Sequence, residues 1–222
     1  MSLILNIDTS TENAFVCIAE NGLPISTIRN NIQKEHASFT HTAIQELFAK
    51  LKINMKQIDA VAVASGPGSY TGLRVGMATA KGICYALGKP FIAIGSLDLM
   101  ATEAINNSQL SKSDNVLFCP MIDARRMEVY TALFDRNLKL IHPPGAIVLS
   151  SDFLEYLLNL NEIYFIGNGI DKFKRLNKHK NAFFIDEKNY DVSMSKRSYE
   201  EFLLSSFTDI THSEPIYVKG NQ

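Results

Sequence analysis

Paired cysteines, long apolar runs and a charge bias are all missing from this chain of 222 residues. No apolar stretch approaches the roughly 20 residues that span a bilayer, and the opening Met-Ser-Leu-Ile-Leu-Asn-Ile-Asp meets an acid at Asp8 before a signal-peptide core can form. The expectation is a cytoplasmic protein with no membrane partner. Cys17, Cys84 and Cys119 are odd in number, far apart and set among apolar or small neighbours, so they read as reduced core thiols rather than disulfides or a metal knuckle. With 22 basic and 23 acidic residues the formal charge is −1, which gives no chain-wide pull toward nucleic acid. If RNA is involved, another chain or a local patch must hold it. Also missing are a nucleophile elbow, an acid–base carboxylate pair, and the lysine that would have to follow Gly72 in a nucleotide-binding P-loop. What remains is ordinary for a globular protein, 46% hydrophobic and 20% charged, enough for one large domain or two small lobes.

The most informative segment runs Ser65-Gly66-Pro67-Gly68-Ser69-Tyr70-Thr71-Gly72-Leu73-Arg74-Val75-Gly76. A short β-branched run, 58–64, precedes it, and a proline-free run, 71–87, follows and ends in Gly88-Lys89-Pro90, the chemistry of a helix C-terminus. The glycines therefore sit at a helix N-terminus. There, unpaired N–H groups and the positive end of the helix dipole attract an anion, with Arg74 in the first turn to assist. The bland alternative is a tight turn needing positive φ, and the residues alone do not choose between the two.

Within the helix after the elbow, Gly72, Gly76 and Ala80 form one stripe and Ala78, Gly82 and Ala86 a second. Helical glycine costs up to about 1 kcal/mol relative to alanine, so these need a compensating close contact. One stripe is expected to meet the protein's own sheet, with Gly76 pinned against the preceding strand. The other, with Gly82, is expected to meet a neighbouring helix; the run 36–51 offers Phe39, Ala43, Ile44, Leu47, Phe48 and Leu51 as an amphipathic companion.

An ungapped echo aligns the segment from Asn6 with the segment from Met121, placing Asp8 on Asp123. Each copy is a strand ending at an aspartate, a polar turn and a second strand that closes at Asn21-Gly22 or Arg136-Asn137. Helix, strand and helix follow at 36–51, 58–64 and 71–87, and again at 152–160, 163–167 and 170–176, with an added strand 91–95 and connecting helix 96–106. The pattern is β-β-β-α-β-α twice. The polar stretch between Asn106 and Asn115 is the expected boundary, giving lobes 1–106 and 107–222. Lys172, Lys174, Arg175, Lys178 and Lys180 form a basic tract in the second lobe, either a solvated face or a contact for an RNA backbone.

Duplicated mixed sheets with outer helices resemble the actin, Hsp70 and sugar-kinase (ASKHA, ribonuclease H-like) superfamily, an α/β class whose members bind nucleotide between two lobes. Four segments carry a closer resemblance, to the TsaB (YeaZ) family: Ile7-Asp8-Thr9-Ser10, Gly66 to Gly76, Ile122-Asp123-Ala124-Arg125-Arg126-Met127-Glu128-Val129-Tyr130, and Glu214-Pro215-Ile216-Tyr217-Val218-Lys219. They span nearly the whole chain. The resemblance implies a non-catalytic subunit of the complex that makes threonylcarbamoyladenosine at position 37 of tRNA, paired with a catalytic TsaD-type subunit and a TsaE-type ATPase, and touching tRNA only through the complex. Whether the chain alone forms a homodimer is left open. A partner interface is expected at Phe39, Ala43, Leu47, Gly76, Ala78, Gly82 and Ala86. An anion or vestigial nucleotide cleft would use Asp8, Thr9, Ser10, Gly66, Gly68, Arg74 and Asp123. No cofactor is expected, and at most weak ATP or ADP binding, because Arg125 and Arg126 crowd the second hairpin. No metal is expected either: the catalytic sibling needs a His-x-x-x-His pair, whereas His36 and His41 are five apart, about 140° around a helix. The alternatives are an ASKHA-fold enzyme, either a glycoprotease-like metallopeptidase or a small-molecule kinase, and a self-sufficient chaperone-like dimer.

Overall fold

A computed structural model describes residues 1–31, 36–106, 115–187 and 189–218, except that the side chain of His36 is not described. In chain order the elements are β1 (Leu3–Asp8), β2 (Ala14–Glu20), β3 (Leu23–Asn30), α1 (His36–Leu51), a single 3-10 turn (Met55–Gln57), β4 (Ala60–Gly66), α2 (Tyr70–Leu87), β5 (Phe91–Gly95), α3 (Ser96–Asn106), β6 (Val116–Asp123), β7 (Glu128–Phe134), β8 (Leu140–Val148), α4 (Glu155–Leu160), β9 (Glu162–Ile166), α5 (Ile170–Leu176), β10 (Ala182–Ile185) and α6 (Asp191–Leu203). The two sheets have the same topology, β3-β2-β1-β4-β5 and β10-β9-β6-β7-β8. In each, three antiparallel strands form a meander and two further strands run parallel to the meander's first. The duplication goes further than the sequence pattern, because β10 and α6 repeat β5 and α3.

The chain divides into two compact units, Met1–Ser96 with Asn189–Ile216, and Leu97–Lys188 with Tyr217–Gln222. Nearly all of α3 thus belongs to the second unit and α6 to the first, whereas a cut at 106 would assign them the other way. The expected boundary segment itself, 107–114, lies outside the described residues, as does Lys219.

In the first unit every residue of β1 and β4 is buried. Both faces are covered, which explains their near-continuous apolar sequence. On one face Leu3, Leu5 and Ile7 join Val16, Ile18, Val61 and Val63 beneath Ala43, Ile44 and Leu47 of α1 and Met77, Ala80 and Cys84 of α2. Helix α6 packs on β1, β2, β3 and β5, burying Ser193, Met194, Ser195 and Ser198. Its first residue, Asp191, is buried and accepts hydrogen bonds from Arg29 at 2.7 Å and Thr27 at 2.8 Å, so burial of the carboxylate is compensated. In the second unit Cys119, Met121, Val129 and Leu133 pack with the ring cluster of Phe153, Phe165, Phe173 and Phe184.

Two elements shift from expectation by two residues or more. The strand expected at 58–64 runs from Ala60 to Gly66, because the Ile58 N–H closes the 3-10 turn on the Met55 carbonyl. Helix α4 begins at Glu155 rather than 152, because Leu154 adopts φ 58° and breaks the run. No described helix is long and apolar enough to cross a membrane.

Candidate functional site: the glycine elbow and the two faces of helix α2

Helix α2 starts at Tyr70, one residue before the expected run 71–87, behind a Ser69 N-cap whose Oγ accepts from the Gly72 N–H at 3.3 Å, and it stops where expected, at Gly88 in the left-handed conformation (φ 62°). What the elbow's glycines accommodate is the protein's own backbone. A Cβ at Gly68 would collide with the Ser10 carbonyl and one at Gly72 with the Thr9 carbonyl. The Ser69 N–H donates to the Ser10 carbonyl at 2.7 Å, and the Thr9 hydroxyl donates to the Gly72 carbonyl at 2.7 Å. Asp8, 3% exposed, closes its own turn by accepting from the Ser10 N–H (2.8 Å) and hydroxyl (2.6 Å). The turn Thr9–Ser10 thus packs directly on Gly68 and Gly72. A phosphate and a peptide carbonyl make the same demand on sequence, a residue with no Cβ.

The C-terminal segment completes the elbow. The Ile216 N–H donates to the Ser65 carbonyl at 2.7 Å, and the missing Cβ of Gly66 leaves room for the Ile216 carbonyl. Three of the four segments that carry the family resemblance thus meet at one place, the β1–β2 turn, the elbow and the tail. Arg74 is exposed, and its guanidinium lies over the Tyr70 ring at 4.2 Å.

The two stripes of α2 part as their spacing requires. Gly72, Gly76 and Ala80 are buried; Ala78, Gly82 and Ala86 are exposed. A Cβ at Gly76 would stand 2.5 Å from the Thr9 hydroxyl and 3.3 Å from Val63, whereas one at Gly82 would meet nothing within 4 Å. Beside Gly82, Ala78, Thr79 and Ile83 line an open groove of about 340 Å³ with His41, Ile44, Gln45 and Met55. On the helix's other flank Lys81, Gly82 and Tyr85 face Ile210 and Thr211 of the tail, which is tethered by a 2.6 Å hydrogen bond from Lys81 Nζ to the Ser213 carbonyl.

Of the residues expected at a partner interface, Ala78, Gly82 and Ala86 share this open face. Ala43 and Leu47, 2% and 0% exposed, and Gly76 do not: they are consumed by the core under α1 and α2, and Phe39 packs partly against the same core. The correction is one of helix face. The apolar stripe of α1 binds its own sheet, and the residues it presents beside the groove are His41, Ile44 and Gln45. Tyr85, 86% exposed, was missed. It follows Gly82 by one turn, so an aromatic on the second stripe was the available signal.

Asp123 belongs to the second unit. Its carboxylate accepts from Lys172 Nζ at 2.7 Å and from the Arg125 N–H at 2.6 Å, while Arg125 and Arg126 turn outward with φ of 71° and 46°. Lys172, expected within a basic surface, is thus half of an ion pair. Among the described residues no three His, Cys, Asp or Glu side chains gather where they could share a metal. The three cysteines are unpaired and buried. Burial pushes the Cys84 thiol up to about 11 and the Cys119 thiol up to about 12.

Two mixed five-stranded sheets of identical order, each flanked by helices, define a duplicated α/β protein of the actin-like ASKHA class. A family model described as "TsaD: tRNA N6-adenosine threonylcarbamoyltransferase" matches residues 28–206. The tRNA threonylcarbamoyladenosine biosynthesis protein TsaB of Buchnera aphidicola subsp. Baizongia pistaciae is 30% identical over 184 residues, 79% of this chain and 79% of that one. The protein of the same name from Bacillus subtilis is 28% identical over 176 residues, 78% and 74% of the two chains. A solved structure, YeaZ from Pseudomonas aeruginosa, superposes with a TM-score of 0.79 at 21% identity, covering 98% of this chain and all of that one, which speaks to the fold. The chain belongs to the TsaB (YeaZ) family.

Proposed function

We propose that this chain is the non-catalytic accessory subunit of the machinery that makes threonylcarbamoyladenosine in tRNA, and that it docks its TsaD-type catalytic partner on the open face of α2. The observation that carries the docking surface is the division of α2 into a buried stripe, Gly72, Gly76 and Ala80, and an exposed one, Ala78, Gly82 and Ala86. Small residues on an exposed helical face let a second helix approach closely, and the adjoining groove supplies apolar walls for its side chains. Glycine there is disfavoured by about 1 kcal/mol relative to alanine, so a free surface gains nothing from it.

Two features support a subunit without chemistry of its own. In the first unit the turn Thr9–Ser10 packs on Gly68 and Gly72, and in the second Lys172 pairs with the Asp123 carboxylate. A nucleotide-binding kinase of this fold would need the two aspartate hairpins for its phosphates. In this account tRNA is modified by the assembled complex, a TsaE-type ATPase is the third component, and any homodimer of the isolated chain uses the same α2 face and so competes with the catalytic subunit. Sedimentation of the chain alone and with a TsaD-type subunit tests this. The expected result is a one-to-one complex that forms at the expense of any homodimer; no complex, or one in which two copies of this chain remain paired through α2, contradicts it.

A further inference from the structure

Between Ile170 and Ile185 the chain carries five cations, Lys172, Lys174, Arg175, Lys178 and Lys180, against one carboxylate, Asp171. The chain as a whole has a formal charge of −1, so this is a local feature. Lys172 is spent on Asp123. The other four are exposed, and among the described residues none lies within 4.0 Å of a carboxylate oxygen.

The loop after α5 holds these charges in place. Asn177 is buried, its N–H bonded to the Phe173 carbonyl at 2.9 Å and its side-chain amide to Ser151 at 3.3 Å. The His179 N–H donates to Asn177 Oδ1 at 2.8 Å, and the His179 ring reaches Asn159 at 3.2 Å and accepts from the Asn181 N–H at 3.2 Å. Asn181 donates in turn to the Leu158 carbonyl at 2.8 Å. Residues 177, 179 and 181 are thus pinned inward while Lys178 and Lys180 project between them. Lys178 Nζ lies 3.1 Å from the Lys174 carbonyl, and Lys174 Nζ lies 5.9 Å from the Phe184 ring, which ties the Lys178 side chain back to the end of α5 beside Lys174. The helix dipole accounts for cations in the last turn, Lys174 and Arg175, but not for Lys180, which lies beyond it.

We propose that this pinned face, Lys174, Arg175, Lys178 and Lys180, docks an RNA phosphate backbone. The choice of RNA among polyanions rests on the function proposed above. The construction fits it: point charges on a rigid loop position a backbone without reading sequence, whereas a protein interface is built around an apolar, aromatic-rich centre. Preorganisation lowers the entropy lost when the phosphates are engaged.

The test is fluorescence anisotropy with labelled, unmodified tRNA, on the chain alone and in complex with a TsaD-type subunit, at 50 and 200 mM salt. K174Q/R175Q/K178Q/K180Q should weaken binding by about tenfold or more at low salt and reduce the log–log salt slope by about 3, since each phosphate contact contributes about 0.7 to 0.9. K50Q/K52Q/K56Q/K89Q, which makes the same charge change in the first unit, should weaken it by less than about threefold. Equal losses from both sets, or an unchanged slope, overturn the proposal. Unchanged tRNA affinity with weakened binding of the catalytic subunit overturns it in favour of a protein contact. Sedimentation separates the two claims: unchanged tRNA affinity in a complex that still assembles refutes this inference alone, and failure to assemble refutes the proposed function while the tRNA titration of the chain alone still decides the patch.

Discussion

Adding one methyl group at Gly76 and at Gly82 should move stability in opposite directions. At Gly76 the new Cβ would stand 2.5 Å from the Thr9 hydroxyl, which is itself held by its 2.7 Å bond to the Gly72 carbonyl, so neither atom can move without loss. Overpacking of this kind costs about 1 to 3 kcal/mol. At Gly82 the Cβ meets nothing within 4 Å, and alanine in an exposed helix gains up to about 1 kcal/mol over glycine. For a chain of this size 1 kcal/mol shifts Tm by about 2 to 4 °C, so G82A should melt slightly higher than wild type and G76A several degrees lower. Gly82→Leu then separates stability from association. It should melt near wild type yet weaken binding of a TsaD-type subunit by about 5- to 150-fold, the equivalent of 1 to 3 kcal/mol. Calorimetric melting and titration calorimetry on the same preparations provide both readouts. If Gly76→Ala is neutral, or if Gly82→Leu melts early or binds its partner as wild type does, the two-faced account of α2 is wrong.

Replacing Asp191 with alanine removes the buried acceptor of Arg29 and Thr27 and should lower stability by about 1 to 3 kcal/mol, measured by denaturant unfolding. Asp123→Ala should leave threonylcarbamoylation by the assembled complex within a few-fold of wild type, and a loss of 100-fold or more with assembly intact would mean that the second hairpin takes part in the chemistry. Calorimetry should show at most weak ATP binding, and metal analysis no stoichiometric zinc or iron; a sub-micromolar ATP affinity would revive the enzyme. The Cys84 and Cys119 thiols ionise at about 11 and about 12 when folded, against 9.0 ordinarily. The native state therefore binds more protons than the unfolded state above about pH 9, so stability should fall as pH rises through 9 to 11, a slope that C84A should reduce.

Legibility in the sequence followed the density of local signals. The elbow and the end of α2 at Gly88 were readable because turn and C-terminal chemistry act within a few residues. Both meanders were readable because strand, polar turn and strand recur around Asp8 and Asp123. Helix α6 was not, because it buries serines and one methionine rather than an apolar stripe: Ser193, Ser195 and Ser198 let it lie close to the sheet without advertising a core face. The allocation of α3 and α6 to opposite units depends on tertiary contacts alone. The elbow was recognised but its occupant was not, since what fills the space beside Gly68 and Gly72 lies some 60 residues earlier at Thr9 and Ser10. In α1 the amphipathic stripe was legible but not its use: Ala43 and Leu47 serve the core, and the exposed face is carried by the small residues of α2 and by Tyr85.

The most direct test of the central claim is threonylcarbamoyl transfer to tRNA in a reconstituted system, with each subunit supplied alone and together. The account predicts no turnover from this chain alone, turnover when it joins the TsaD-type subunit and the ATPase, and loss of that turnover in Gly82→Leu that is recovered by raising the variant's concentration. Turnover by this chain alone, or a Gly82→Leu defect that saturating concentration does not restore, would contradict it.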